Sequence, residues 1–397
     1  MKFWKPFCLF LLLATTFSYA MFQGGFVSWF LFYSFLPFAL YALYLLFVSL
    51  QSFTVQRNLS KLESFAHDDL TVTIELKRKH SFPLLFIMVE DVLNPSMQTS
   101  VKDKKNKMII FIGFKKKFSF QYDILDLPRG EHVFPYIRIM TCDLLGMIEK
   151  ERKIKLAEKI LVFPSYKEFI HMPVGKFLEQ GRLLAGDHIH KETSSVVGIR
   201  EYQQGDRFSW INWKASAKRG WMVTKEFEQR SSSNVLMVLD TAPTKLFESM
   251  VSFTASLGQI LLYKGTQVGF LSFSVDPVSM PIHGGEASRQ QLFYHLAKIQ
   301  PDCPKPLERI LLEDPFFMQR GTTLIFVTSR LTESLIEAIN KLVAGKSPVI
   351  LFVVEMEHSL VTSLNQSLKL MARSYRILVV FIHEGQYSTG QMEVNRA

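Results

Sequence analysis

Residues 235–240 read Val-Leu-Met-Val-Leu-Asp, a continuous apolar run that ends in an aspartate. A strand of this composition has both faces buried, as in a parallel sheet covered by helices. The residues downstream repeat the theme. Lys245 to Tyr263 has helical spacing, Gln267 to Phe273 reads as a strand, and Ser288 to Ile299 as a helix. Thr322–Thr328, Pro348–Glu355 and Arg376–Ile382 are further apolar strands, separated by helical stretches at Glu333–Val343 and near Ser359–Ala372. This alternation predicts an α/β domain with a mostly parallel sheet over residues 234–397.

Upstream the pattern is different. A linker is expected from Gln51 to about Asp68, and after it Thr71–Lys77 alternates with period two. Phe82–Val92, Lys107–Phe114, Phe118–Ile124 and His132–Ile139 are β-branched and aromatic runs. Asn94-Pro95-Ser96 and Pro128-Arg129-Gly130 supply turn chemistry between them. Short strands at this spacing predict a β-rich, sandwich-like domain over 52–165. Residues 166–233 then form a connector that carries the most distinctive segment of the chain.

The N-terminus must be tested for a membrane segment before any fold reasoning. No charge occurs from Pro6 to Phe22 or from Phe26 to Leu50. The first run spans roughly 26 Å as a helix, near the lower limit for a bilayer core, and the second is ample. A transmembrane helical hairpin is therefore expected over 1–51, with helices at 6–22 and 26–50. Lys2, Lys5 and the small residues of Ser18-Tyr19-Ala20 also match a cleaved signal peptide, and that alternative stays open. Lys2 and Lys5 precede the hairpin, Arg57, Lys61 and Lys77-Arg78-Lys79 follow it, and its turn has no charge. The positive-inside rule then puts the soluble body in the cytoplasm. Cys8, Cys142 and Cys303 are far apart, odd in number and without metal spacing, as in a reducing compartment. The formal net charge of +10 fits a basic body beside an anionic leaflet. A basic nucleic-acid binder is the rival, but no recognition motif supports it.

The distinctive segment, residues 198–228, reads GIREYQQGDRFSWINWKASAKRGWMVTKEFE. Gln204-Gly205-Asp206-Arg207 is a turn. Phe208–Lys218 can form a short helix with Trp210, Trp213 and Ala217 on one face. Gly220 suits the left-handed position after it, and Val223–Glu228 resumes as a strand. Arg200 and Asp206 are placed to form a charge-assisted pair, with Arg207 and Lys214 close by. No nucleophile–base pair is present, and nothing places the carboxylates of Asp206 and Glu226 across a substrate, so no catalytic residue is named. Two readings remain. Trp213 could be buried as an anchor between the β-rich part and the α/β domain, or the segment could be a surface for a ligand or partner.

Arg200-Glu201-Tyr202, Gly205-Asp206, Trp213-Lys214-Ala215-Ser216-Ala217-Lys218 and the strand ending at Asp240 follow one another in a set order. Together they resemble the signature of the membrane-associated "domain of unknown function 58" family. Arg129-Gly130 and Asp143-Leu144-Leu145-Gly146 resemble a weaker motif of the same family. The resemblance implies a cytoplasmic adaptor working with a MoxR-type AAA+ ATPase and other membrane proteins. It marks Arg200, Tyr202, Gly205, Asp206, Arg207, Trp210, Trp213 and Lys214 as an interaction or interdomain signature.

The resemblance also implies a von Willebrand factor A-like last domain, whose relatives often hold Mg²⁺ through an Asp-x-Ser-x-Ser loop. Here that loop is Asp240-Thr241-Ala242-Pro243-Thr244. Ala242 has no oxygen to give, and Arg330 stands where a carboxylate is expected. A hard cation needs several oxygens and no adjacent cation, so only Asp240 and Thr244 are left as degenerate ligands. No metal or other cofactor is expected; Asp240 should cap the next helix or pair with a basic group of the signature. A metal-dependent binder or enzyme at this domain is the alternative.

Overall fold

The structure is a computed structural model. It describes residues 4–61, 63–79, 83–167, 174–185, 196–204, 206, 208–227, 234–313, 322–343, 347–356 and 363–383. The chain forms two units, Met1–Phe163 and Pro164–Ala397.

The first unit opens with α1 (Trp4–Gln23) and α2 (Phe26–Phe47). Gly24 makes the tight turn between them at φ +61°, where a side chain would be strained. Ala20, Ala39 and Ala42 are buried, while Phe22, Phe26, Phe30 and Phe47 are exposed. Among the described residues, α2 is long and apolar enough to cross a membrane, and Phe7–Gln23 is a shorter apolar helix.

Among the described residues eight strands follow: β1 (Phe53–Leu59), β2 (Ser64–Phe65), β3 (Leu70–Arg78), β4 (Ile87–Val92), β5 (Lys107–Ile110), β6 (Lys117–Ile124), β7 (Gly130–Cys142) and β8 (Glu149–Phe163). A four-residue helix, α3 (Pro95–Gln98), lies after β4. One sheet has the order β1-β3-β6, the other β2-β8-β7-β4-β5, and the pairs are antiparallel except for β2 with β8. On β3, Leu70, Val72, Ile74 and Leu76 point into a shared core with Val89, Phe134, Ile137 and Ile139.

A buried polar network ties the two sheets together. Arg57 of β1 donates to both oxygens of Asp91 on β4, at 3.0 and 2.6 Å. Its third nitrogen donates to the Leu156 carbonyl at 3.0 Å, and the guanidinium lies 4.8 Å from the Phe134 ring centre. The Tyr122 hydroxyl of β6 donates to Asp91 at 2.7 Å. Burial, and then the Asp91 carboxylate, raise the Tyr122 phenol above its ordinary value.

These contacts correct the expected linker over 51–68. It contains β1 and β2, and Arg57 is not a free juxtamembrane charge, because Asp91 neutralises it. The strand expected to reach Phe114 ends at Ile110. Strand β8 was not foreseen, because its lysines and glutamates hide the period-two burial pattern.

In the second unit, α4 (Val174–Ala185) precedes a two-stranded hairpin of β9 (Val196–Glu201) and β10 (Val223–Phe227), with α5 (Trp213–Arg219) between them. The remainder is β11 (Asn234–Leu239), α6 (Phe247–Tyr263), β12 (Gln267–Ser272), β13 (Val278–His283), α7 (Glu286–Lys298), α8 (Leu307–Glu313), β14 (Thr323–Thr328), α9 (Glu333–Val343), β15 (Val349–Glu355), α10 (Ser363–Ser374) and β16 (Ile377–His383).

The sheet order is β13-β12-β11-β14-β15-β16, parallel throughout except for the antiparallel edge strand β13. Val238, Phe326, Leu351 and Val379 pack with α8, α9 and α10. On the other side, Phe352 stacks edge-on against Phe177 of α4 and Phe253 of α6, at 5.9 and 5.1 Å. The expected alternation is present, but β13 and α8 were missed. Strand β13 is half-exposed with Pro281 in it, and α8 has only seven residues.

Candidate functional site

The signature folds into the β9–β10 hairpin and the short helices it encloses. The register sets Arg200 opposite Thr224. Asp206 returns beneath Arg200, which donates to its two oxygens at 2.8 and 2.6 Å. The Gln203 amide and the Thr224 hydroxyl also donate to Asp206, at 3.0 and 3.4 Å. The Arg200 guanidinium, and after it the Gln203 amide, hold the Asp206 carboxyl below its ordinary value. The expected pair therefore forms, but Arg200 is partly exposed, so it is a surface clamp and not a buried bridge.

The expected single helix over 208–218 is two pieces, a 3-10 turn at Phe208–Trp210 and α5. The Asn212 side chain accepts from the Ala215 amide at the start of α5, and Gly220 closes it at φ +79°. The Ser216 hydroxyl accepts from the Val223 amide at 2.9 Å, tying α5 to β10. Ile211, Val223 and Thr224 are buried beneath.

The large aromatics point the other way. Trp213 is 63% exposed and Phe208 69% exposed, and Trp221 and Met222 are also open to solvent. The expected burial of Trp213 is thus overturned: it begins α5, and the helix turns that position outward. Tyr202 and Phe208 rings lie 6.3 Å apart, Trp210 is half-buried and Lys214 is exposed. Gly205 and Arg207 lie outside the described residues. Trp221 and Met222, which follow the turn at Gly220, went unremarked in the sequence.

A second place of interest is where the order of the large sheet reverses, between β11 and β14. In open α/β sheets, ligands bind beyond the strand ends at such a point. Asp240 ends β11 there. One carboxylate oxygen accepts the Thr328 hydroxyl at 2.7 Å, and the other accepts the Ala242 amide at 3.0 Å. Asp240 therefore closes its own turn and bonds to β14. It does not cap α6, which starts seven residues later after Leu246. The Thr244 hydroxyl accepts from the Leu246 amide at 3.4 Å. Among the described residues, no three His, Cys, Asp or Glu side chains group as metal ligands.

Burial, and more weakly Glu308, raise the Asp240 carboxyl, against the Thr328 hydroxyl, the Ala242 amide and Arg330. The linkage has a definite sign. Stability from the protonated form is complete below the ordinary value of 3.8 and is lost as pH rises through the higher folded value. Asp240→Asn keeps the oxygen that accepts from Ala242 and removes the charge. The wild-type midpoint, taken relative to that of the variant, should fall as pH rises above the ordinary carboxylate value. Parallel pH profiles for the two proteins would refute this account.

A family described as "Protein of unknown function DUF58" matches residues 198–363. The "Uncharacterized protein YeaD" of Bacillus subtilis (strain 168) is 37% identical over 353 residues, covering 88% of each chain. Among solved structures, the sporulation control protein Spo0M of Bacillus subtilis matches 39% of this chain and 59% of its own, at 14% identity and a TM-score of 0.16. Macromomycin matches 26% of this chain and 99% of its own, at 10% identity and a TM-score of 0.13. At these TM-scores neither likeness carries an argument about fold or activity.

Proposed function

Because this chain belongs to the DUF58 family, we propose that it is a membrane-tethered adaptor that binds a MoxR-type AAA+ ATPase through its signature hairpin. The observation that carries the proposal is the exposure of Phe208, Trp213, Trp221 and Met222 within this one short segment. Large exposed aromatic and apolar side chains are costly to leave in water and are enriched in protein-binding hot spots. The Arg200–Asp206 clamp and the Ser216–Val223 bond hold the backbone that presents these side chains. The identity of the ATPase rests on the family resemblance alone.

In this reading α1 and α2 are both membrane spans and the soluble body is cytoplasmic. The strand order, with its antiparallel edge strand, supports a von Willebrand A-like last domain. Its metal site is degenerate, because both Asp240 oxygens are engaged and Ala242 offers none.

The test uses the full chain in nanodiscs and a purified MoxR-type ATPase. Trp213→Ala and Trp221→Ala should each weaken association by about ten-fold or more and leave the unfolding midpoint in place. Unchanged association would remove the patch from the partner interface. A lowered midpoint would return Trp213 to the role of a structural anchor.

A further inference from the structure

The β-sandwich of the first unit is clamped to the C-terminal end of α2. Lys150 near the start of β8 donates to the carbonyls of Leu46 and Val48, at 2.7 and 2.6 Å. These carbonyls lie at the negative end of the helix, where a cation is favoured. Two residues on, Arg152 donates to the carbonyls of Leu50 and Phe53, at 2.7 and 2.9 Å. Tracing β8 back from Arg152 to Lys150 therefore follows the chain back from Phe53 toward α2. The turn between β7 and β8, residues 143–148, continues that path, and its Leu144 and Leu145 are exposed.

A second loop reaches deeper along the helix. The Leu85 amide donates to the Tyr41 hydroxyl at 3.1 Å. Tyr41 stands six residues before the end of α2 at Phe47, about 9 Å along the helix axis. Leu84 pairs with Gly113, which brings the 111–114 segment to the same level. There Phe111 is 79% exposed and Phe114 71% exposed. The two loops form one rim: the Phe86 carbonyl accepts the Thr141 hydroxyl at 2.8 Å, and the Phe86 and Phe111 rings are 6.5 Å apart. Lys115, Lys116 and Lys117 follow Phe114 and are all exposed.

We propose that this rim, carried by Leu85, Phe111, Phe114, Leu144 and Leu145, is sunk into the interfacial layer of an anionic membrane leaflet. The inference rests on the reading that α2 spans a membrane. Given a spanning α2, a loop bonded to Tyr41 is at the depth of the helix's last two turns, where water gives way to acyl chains. Apolar and aromatic side chains belong at that depth, and lysines beside them reach the phosphates. The rim fixes the sandwich against the bilayer, so it does not swing on a tether.

The test is photo-crosslinking of the full chain in nanodiscs of phosphatidylcholine and phosphatidylglycerol in equal parts. Benzoylphenylalanine replaces Phe114, Leu145, Leu31 in the first half of α2, or Lys155 in the exposed part of β8, one at a time. Lipid adducts are expected at 114, 145 and 31, and not at 155. An adduct at 31 with none at 114 and 145 overturns the rim and leaves the span standing. No adduct at 31 removes the span and the rim with it. The double variant Lys115→Glu/Lys116→Glu should lower the adduct yield at 114 by about five-fold or more, and in phosphatidylcholine alone it should not. An equal yield in both lipids overturns the role of the anionic headgroups.

Discussion

Arg57→Ala is expected to destabilise the first unit by about 3–5 kcal/mol. Both partners of the Arg57–Asp91 pair have fully buried side chains. Removing the guanidinium leaves a buried carboxylate held by the Tyr122 hydroxyl without its cation. The loss is a large part of a typical domain stability of about 5–15 kcal/mol. The pair also joins β1 of one sheet to β4 of the other, so the loss should appear across both sheets. Amide hydrogen exchange on β4 and β7 of the full chain in detergent is the measurement. The double variant Arg57→Met/Asp91→Leu should recover most of the protection, because matched apolar groups often replace a buried ion pair without loss. Wild-type exchange rates in Arg57→Ala would show that the pair does not hold the sheets together.

Phe352→Ala should cost the second unit about 3–5 kcal/mol. Phe352 is almost fully buried in the middle of β15, between β14 and the edge strand β16. Its ring meets Phe177 of α4 and Phe253 of α6 edge-on, so one truncation opens a cavity shared by three elements. The close seat of α4 depends on the same spot: a side chain at Gly181 would meet the Ile350 side chain at 3.1 Å. Faster amide exchange at Val349–Glu355 and a lower denaturation midpoint are expected. Phe352→Leu should keep more of the stability than Phe352→Ala. Equal midpoints for wild type and Phe352→Ala would place the core of this unit elsewhere.

Trp213 shows why a motif can be read correctly while its burial is not. The aromatics and charges of 198–228 predicted a structured segment, and Asn212, Gly220 and the Arg200–Asp206 pair behave as their chemistry implies. Yet a tryptophan in a short segment has no periodic neighbours to say which side is covered. The side is set by the pairing of β9 with β10, which buries Ile211, Val223 and Thr224 and turns Trp213 outward. The same limit applies to Asp240. Its place at the end of an apolar strand was legible, but its partner Thr328 lies 88 residues away and is adjacent only because β11 pairs with β14.

By itself the sequence determined the elements whose signals are local and repeated. The apolar runs at 235–239, 323–328 and 349–355 are strands because both faces must be buried, and the uncharged run from Phe26 forms a membrane-length helix. The tertiary structure alone decided what depends on distant pairing. Arg57 looked like a charge at the edge of a membrane, and only the packing of two sheets makes it the buried partner of Asp91. Leu85 and Phe111 looked like strand residues, and only the bond from Leu85 to Tyr41 sets them level with the end of α2. Local periodicity records which way a side chain faces on its own element. It does not record which element will stand opposite, and that is fixed by the free energy of the whole core.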